Sequence, residues 1–318
     1  MKKVIIGIIG GIIFLIAYIA FYFLKEIESK KNIKISSHNP LEVVKELQNK
    51  GYSLNYLDFL FLKYISPPIK GSIYIKNSKT SRYKFLKALG DKYTHYVPIT
   101  IIPGETTYFV LQDISKKLNY DLINLTKTYV AIAPFSEGNF LADTYNIPIF
   151  FDENKTLNFL INSSLKRFKK VLKENNITYS KERLKKYIII ASIIQKEAAN
   201  NKEMPLISSV IYNRLKKKMR LQMDGTLNYG KYSHTKITPK RIKEDKSYYN
   251  TYKFRGLPKE PVCNVSLNAF KAAINPAKSE YLYFMKKDKY SHSFSKEYKA
   301  HIKNIKKRKK ELQEKLKK

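Results

Sequence analysis

The longest apolar stretch of the chain is residues 4–24, an uncharged run of 21 residues. Read as a helix it is roughly 31 Å long at about 1.5 Å per residue, enough to span a bilayer. It exceeds the apolar core of a usual signal peptide, and no A-x-A-like cleavage site follows it, so an uncleaved anchor is expected. Tyr18 and Tyr22 stand near its outer end, where amphipathic rings favour the membrane interface. Beyond a short polar stalk at residues 36–40, apolar positions recur with helical spacing over 41–47 and 57–65, until Pro67-Pro68 interrupts them. Residues 71–76 alternate as a strand does, 81–89 return to the helical period, and 96–102 form an apolar run broken by Pro98. Thr106 or Thr107 is then placed to cap a helix running to Leu118. This order predicts a small α+β module.

A second set of elements starts near Phe151, with a helix predicted over 155–173. Ser180 is the expected N-cap of the next helix, Glu182 sits in its first turn, and Asn200-Asn201 ends it. Pro205 suits the first turn of a helix over 204–218. Residues 219–259 carry polar and aromatic side chains without a long apolar run, the pattern of a loop that borders a binding cleft. A helix over 267–274, strands over 281–285 and 291–294, and a basic tail over 303–318, read as a solvated or frayed helix, complete the chain. The predicted division is an anchor at 1–24, a stalk and small module at 25–150, a mixed α+β domain at 151–302, and the tail.

Glu197 closes the run Tyr187-Ile-Ile-Ile-Ala-Ser-Ile-Ile-Gln-Lys-Glu197. On a helix it shares a face with Ile190, Ile193 and Ile194. An apolar setting raises a carboxyl pKa, as a general acid near neutral pH requires. A solvated glutamate, or one paired with Lys196, is the alternative reading of the same position. Asp224 is the nearest candidate for a second carboxylate. Asn213, Gln222, Thr226, Asn250 and Tyr252 could bind a ligand or brace the loop. His292 and His301 lack a third ligand pattern, so no metal site is expected. Cys263, the one cysteine, excludes an internal disulfide and reads as a small buried hydrophobe.

A net charge of +35, from 61 basic and 26 acidic residues, raises the question of nucleic acid. The lysines are spread through every segment, and no helix-turn-helix, zinc-ligand or RNP-like pattern accompanies them. A nucleic-acid partner is therefore not expected. Orientation in a membrane is not set by flanking charge, since Lys2 and Lys3 precede the apolar run while Lys25, Lys30, Lys31 and Lys34 follow it. The expectation is a cytoplasmic N-terminus, with the bulk of the chain outside.

Several motifs follow in order: Ala191-Ser-Ile-Ile-Gln-Lys-Glu-Ala198, Asn213-Arg-Leu215, Met219-Arg-Leu-Gln-Met-Asp224 with Thr226, Tyr249-Asn-Thr-Tyr252, Gly256-Leu-Pro258, Asn275-Pro276, Tyr281-Leu-Tyr-Phe284 and His292-Ser-Phe294. Together they resemble the YceG-like family of endolytic murein transglycosylases. Upstream, Glu137-Gly-Asn-Phe-Leu-Ala-Asp-Thr-Tyr145 resembles a turn between that family's two parts, and Ile102-Pro-Gly-Glu-Thr106 the opening of its LysM-like module. The chain departs from the family pattern at Ala142, Gly225 and Val265, where proline is usual. The resemblance implies a single-pass protein of the cytoplasmic membrane with an α+β catalytic domain on the extracytoplasmic side. It implies a cofactor-free lyase that cuts peptidoglycan glycan strands between N-acetylmuramic acid and N-acetylglucosamine to leave 1,6-anhydro ends, with cell-wall synthases as further partners. Glu197 would be the catalytic acid and base, and Gln222, Asp224 and Thr226 would line the substrate cleft, with Asn213, Asn250 and Tyr252 as candidates to hydrogen-bond or stack on sugar rings. A hydrolase using Glu197 with Asp224, and a murein-binding scaffold without catalysis, remain open alternatives.

Overall fold

Short alternating segments give only two-stranded sheets, so helices carry most of the packing among the described residues, which are 2–30, 32–75, 78–91, 96–149 and 151–316 of a computed structural model. Lys76, at the end of the strand expected over 71–76, lies outside them. Two compact units are present, one of residues 1–97 with 147–151, the other of 98–146 with 152–318.

In the first unit α1 (Lys2–Leu24) contains 19 residues, Ile6–Leu24, long and apolar enough to cross a membrane. β1 (Glu26–Glu28) pairs antiparallel with a later strand, β4 (Lys79–Ser81), and β2 (Asn32–Ile35) pairs likewise with β3 (Gly71–Tyr74), setting Ile33 opposite Ile73. β1 and β2 escape periodicity reading because each is only three or four residues long, too short to establish an alternation. Three helices cover these ribbons: α2 (Pro40–Asn49), α3 (Tyr56–Tyr64) and α4 (Arg82–Leu89). Asn39 caps α2, and Asn55 with Asp58 forms a capping box on α3. Their apolar faces meet the strands in a core around Val43, Leu47, Phe61, Leu62, Phe85 and Leu89.

The second unit is mainly helical. β5 (Tyr96–Thr100) and β6 (Thr144–Pro148) pair where the chain passes between units. Between them lie α5 (Thr107–Leu118) and α6 (Leu122–Ile132). α6 shows no clear helical period in sequence because Asn, Thr and β-branched residues dilute it, yet Asp121 caps it by accepting from the Asn124 N–H at 2.8 Å. α7 (Glu153–Glu174), α8 (Lys181–Glu197) and α9 (Met204–Lys216) follow. The loop expected over 219–259 includes α10 (Pro239–Glu244), started by a Thr238 cap and a proline in the first turn. α11 (Leu267–Ile274), the antiparallel hairpin of β7 (Tyr283–Lys286) and β8 (His292–Ser295), and α12 (Tyr298–Leu316) complete the unit. α8 packs on α11 and α9, burying Ile190, Ile193 and Ile194 against Val210 and Phe270.

Two buried polar groups tie the upstream segment into this unit. Asn264 donates to the Glu105 carbonyl at 3.1 Å and accepts from the Phe140 N–H at 3.1 Å. Glu137 receives both the N–H and the hydroxyl of Thr107 at the start of α5, which braces that turn. Burial pushes the Glu137 carboxyl up to about 7, against these hydrogen bonds.

Candidate active site

α8 is built to end at Glu197. Ser180 caps its start by accepting from the Arg183 N–H at 3.1 Å, and residues 188–194 are all buried, which fixes the last turn against the core. Ala198 leaves the helix in an extended conformation, so Glu197 is the final helical residue. Its carboxyl faces a groove of about 490 Å³ lined by Arg214, Gln222, Asp224, Tyr252, Tyr283 and His301, among others.

The groove floor is the segment after α9. Asp224–Leu227 forms a 3₁₀ turn in which the Gly225 N–H donates to Glu197 Oε1 at 2.7 Å. A Cβ on Gly225 would lie 2.6 Å from the Lys196 Cβ and 2.9 Å from Glu197 Oε1, so this approach requires glycine. It also requires a backbone N–H, which the proline usual in the resembled family cannot supply. Buried Thr251 secures the segment: its hydroxyl receives the Met223 N–H at 3.0 Å, and its carbonyl receives the Gln222 N–H at 3.1 Å.

The candidates separate by position. Gln222, Asp224 and Tyr252 border the groove with Glu197, and the Tyr252 hydroxyl donates to Asp224 Oδ1 at 2.6 Å. Asn213, Thr226 and Asn250 are not among the lining residues. Asn213 donates to the Ser279 and Tyr281 carbonyls at 2.9 and 3.0 Å. Thr226 donates to the Met223 carbonyl at 2.7 Å, and Asn250 to the Ile242 and Asp245 carbonyls at 2.8 and 2.9 Å. A polar side chain in a loop satisfies buried carbonyls as readily as a ligand, so its type alone does not tell which way it points.

Other residues complete the groove; of these the sequence points only to His292 and His301, and only as a pair without a third metal ligand. Arg214 sits beside Asn213 in the quoted Asn-Arg-Leu motif; its guanidinium donates to the Leu282 and Leu221 carbonyls at 2.6 and 2.7 Å and lies 5.2 Å from the Tyr283 ring centre. β7 contributes Tyr283, Phe284, Met285 and Lys286, and α12 contributes Tyr298 and His301. The Tyr283 and His301 rings stack at 5.3 Å. His292 holds β8 in place through Glu203, accepting or donating at Nδ1 across 2.8 Å while its backbone N–H donates at 2.7 Å. Among the described residues no three His, Cys, Asp or Glu side chains are grouped to hold a metal ion.

Electrostatically Glu197 is set to keep its proton. Burial pushes its carboxyl up to about 7 and nearby Asp224 adds to the rise, while the Gly225 N–H opposes it. The C-terminal end of α8, where the helix dipole disfavours an anion, acts in the same direction as burial. Between the ordinary value of 4.5 and about 7, the folded protein retains a proton that the unfolded chain has released. Stability from this group is therefore greatest below that window and falls as pH rises through it. Glu197→Gln should consequently melt at a temperature less sensitive to raising the pH from about 5 to about 8 than the parent, measured by calorimetry.

Cys263 lies under the same helix, fully buried, its Sγ 3.6 Å from the Ser192 carbonyl, and burial pushes the thiol pKa up.

The chain is 37% identical over 142 residues to the endolytic murein transglycosylase of Bacillus subtilis strain 168, covering 45% of this chain and 38% of that protein. It is 34% identical over 156 residues to the endolytic murein transglycosylase of Streptococcus pneumoniae serotype 2 strain D39, covering 47% of this chain and 28% of that one. It thus matches well under half the length of either curated relative. A crystal structure of a yceG-like protein from Listeria monocytogenes superposes with a TM-score of 0.56 over 86% of this chain and 99% of that one, at 24% identity, and so shares the fold. The model of the YceG-like family matches residues 33–307, a span that takes in every residue of the groove, and the chain belongs to that family.

Proposed function

We propose that this protein is a membrane-anchored lytic transglycosylase that cuts within peptidoglycan glycan strands, with Glu197 as its acid and base. The observation carrying this reading is a carboxyl pushed up to about 7 at the end of a buried helix and opening into a groove. With about half of it protonated at neutral pH, it can give its proton to the glycosidic oxygen between N-acetylmuramic acid and N-acetylglucosamine as that bond breaks. The 6-hydroxyl of the muramic acid then bonds to its own anomeric carbon and returns a proton to Glu197, so no water is consumed. Tyr252, Tyr283 and Tyr298 offer faces for sugar rings, and Arg214 and Lys286 offer charge for the acidic lactyl and peptide substituents. The names of the Bacillus and Streptococcus relatives support the same substrate class.

In this reading α1 is a single-pass anchor in the cytoplasmic membrane, residues 25–150 form a stalk with a LysM-like module, residues 151–302 carry catalysis, and residues 303–318 form a basic tail. The groove side is extracytoplasmic, where the cut would end elongation of strands made by cell-wall synthases. Catalysis leans on residues 98–146 as well, which share a compact unit with Glu197. Asp224 favours a second reading, a hydrolase in which it activates water, because it borders the same groove. Mass spectrometry of digests distinguishes them: transglycosylation gives 1,6-anhydro ends one water lighter than the reducing ends left by hydrolysis. Reducing ends alone would overturn the first reading, and binding without any cut would leave a scaffold.

A further inference from the structure

The last turn of α1 is gripped by the first unit through buried polar contacts. The Tyr22 hydroxyl donates to Asp58 Oδ2 at 2.7 Å, while Arg82 NH1 donates to the same carboxylate oxygen and to the Tyr22 oxygen, both at 2.6 Å. The guanidinium lies 4.6 Å from the centre of the Tyr22 ring. The next residue, Phe23, packs its ring 5.1 Å from that of Phe61. Asp58 and Phe61 are three residues apart on α3, so α1 meets α3 along one helical face.

Beside that face α3 is uncovered. Tyr56, Tyr64 and Ile65 are 70%, 71% and 67% exposed. Lys63 Nζ lies 4.9 Å from the Tyr64 ring centre. α4 extends the surface with Tyr83, edge-on to Phe61 at 5.7 Å, and Lys87 lies 5.8 Å from the Tyr83 ring. The one acid on α3, Asp58, is buried by Arg82, and α4 has none. Exposed rings and lysines without an acid are what the boundary between hydrocarbon and water selects. Continuity with α1 says which surface covers them.

We propose that this face of α3, with Tyr83 of α4, rests in the headgroup layer of the bilayer that α1 crosses, Lys63 and Lys87 meeting anionic lipid phosphates. The proposal rests on α1 spanning the membrane. It makes the first unit a foot planted on the membrane surface rather than a module swinging on a tether.

The test uses the full chain in vesicles of phosphatidylethanolamine and phosphatidylglycerol. Nitroxide labels are attached singly to Tyr64→Cys, to Ile13→Cys in the middle of α1, and to Lys45→Cys on the exposed side of α2; the buried native thiol is left in place. Collision with oxygen reports lipid, and collision with a water-soluble nickel chelate reports solvent. The label at 64 should meet the chelate several-fold less often than that at 45, and Lys63→Glu with Lys87→Glu should return it to solvent. If the label at 13 lies in lipid while that at 64 is as wet as that at 45, the docking is wrong and the anchor stands. If the label at 13 is also in water, the anchor itself fails. Dipolar broadening between labels at 64 would assign the face to a second copy and overturn the proposal.

Discussion

Replacing Glu197 by glutamine should lower the release of 1,6-anhydro ends from isolated glycan strands by about 10²–10⁴-fold, the usual worth of a positioned acid and base. Glutamine keeps the shape and can still meet the Gly225 N–H, so binding to strands should persist while cutting stops. The parent rate should also depend on pH in one direction from this group. With a carboxyl at about 7, activity falls as pH climbs past that value, because the acid form disappears. A variant that cuts at the parent rate, or a parent whose rate rises steadily from about pH 6 to 9, would remove Glu197 from the chemistry.

The second large effect concerns stability. Arg82→Ala should destabilise the first unit by about 3–5 kcal/mol, because it leaves the Asp58 carboxylate buried without its cation. The Asp58 and Arg82 side chains are 0% and 7% exposed, so water cannot screen the loss. The pair is itself incompletely compensated: Asp58 Oδ1 and Arg82 Nε have no hydrogen-bond partner among the described residues. Joint replacement by Leu and Met should therefore cost much less than Arg82→Ala alone. Urea titration of the full chain in detergent, followed by the fluorescence of a probe placed in the first unit, measures both. Equal losses in single and joint variants would show that the carboxylate is not the penalty.

How far the site could be read in advance depends on how local each interaction is. The helix carrying Glu197 is written in a contiguous apolar run between a serine cap and a pair of asparagines, and these are short-range signals. The Gly225 N–H meets Glu197 across 28 positions of chain, a contact that depends on how α9 returns the backbone. No local pattern announces it, although an unexpected glycine in a motif is a fair hint of close approach. The side-chain amides of Asn213 and Asn250 suit a ligand by chemistry alone, and in the structure they donate to carbonyls of neighbouring segments. Tyr298 and His301 pose the opposite difficulty, His301 inviting only a metal reading and Tyr298 none. They open a lysine-rich helix whose composition suggests solvent, yet its first turn closes one wall of the groove. In the first unit the helices were plain from their period, while β1 and β4 pair over three residues each and owe their place to the helices that cover them.

One feature of the second unit gives it a built-in stopwatch. Cys263 is the chain's single sulfhydryl, sealed beneath α8 against Ser192. The thiolate cannot attack a maleimide or aromatic disulfide in the buffer until that seal opens, so the pace of modification counts openings of the core that holds the acid in place. Substrate that tightens the groove would slow the ticking, and the delay would read out occupancy without any bond being cut.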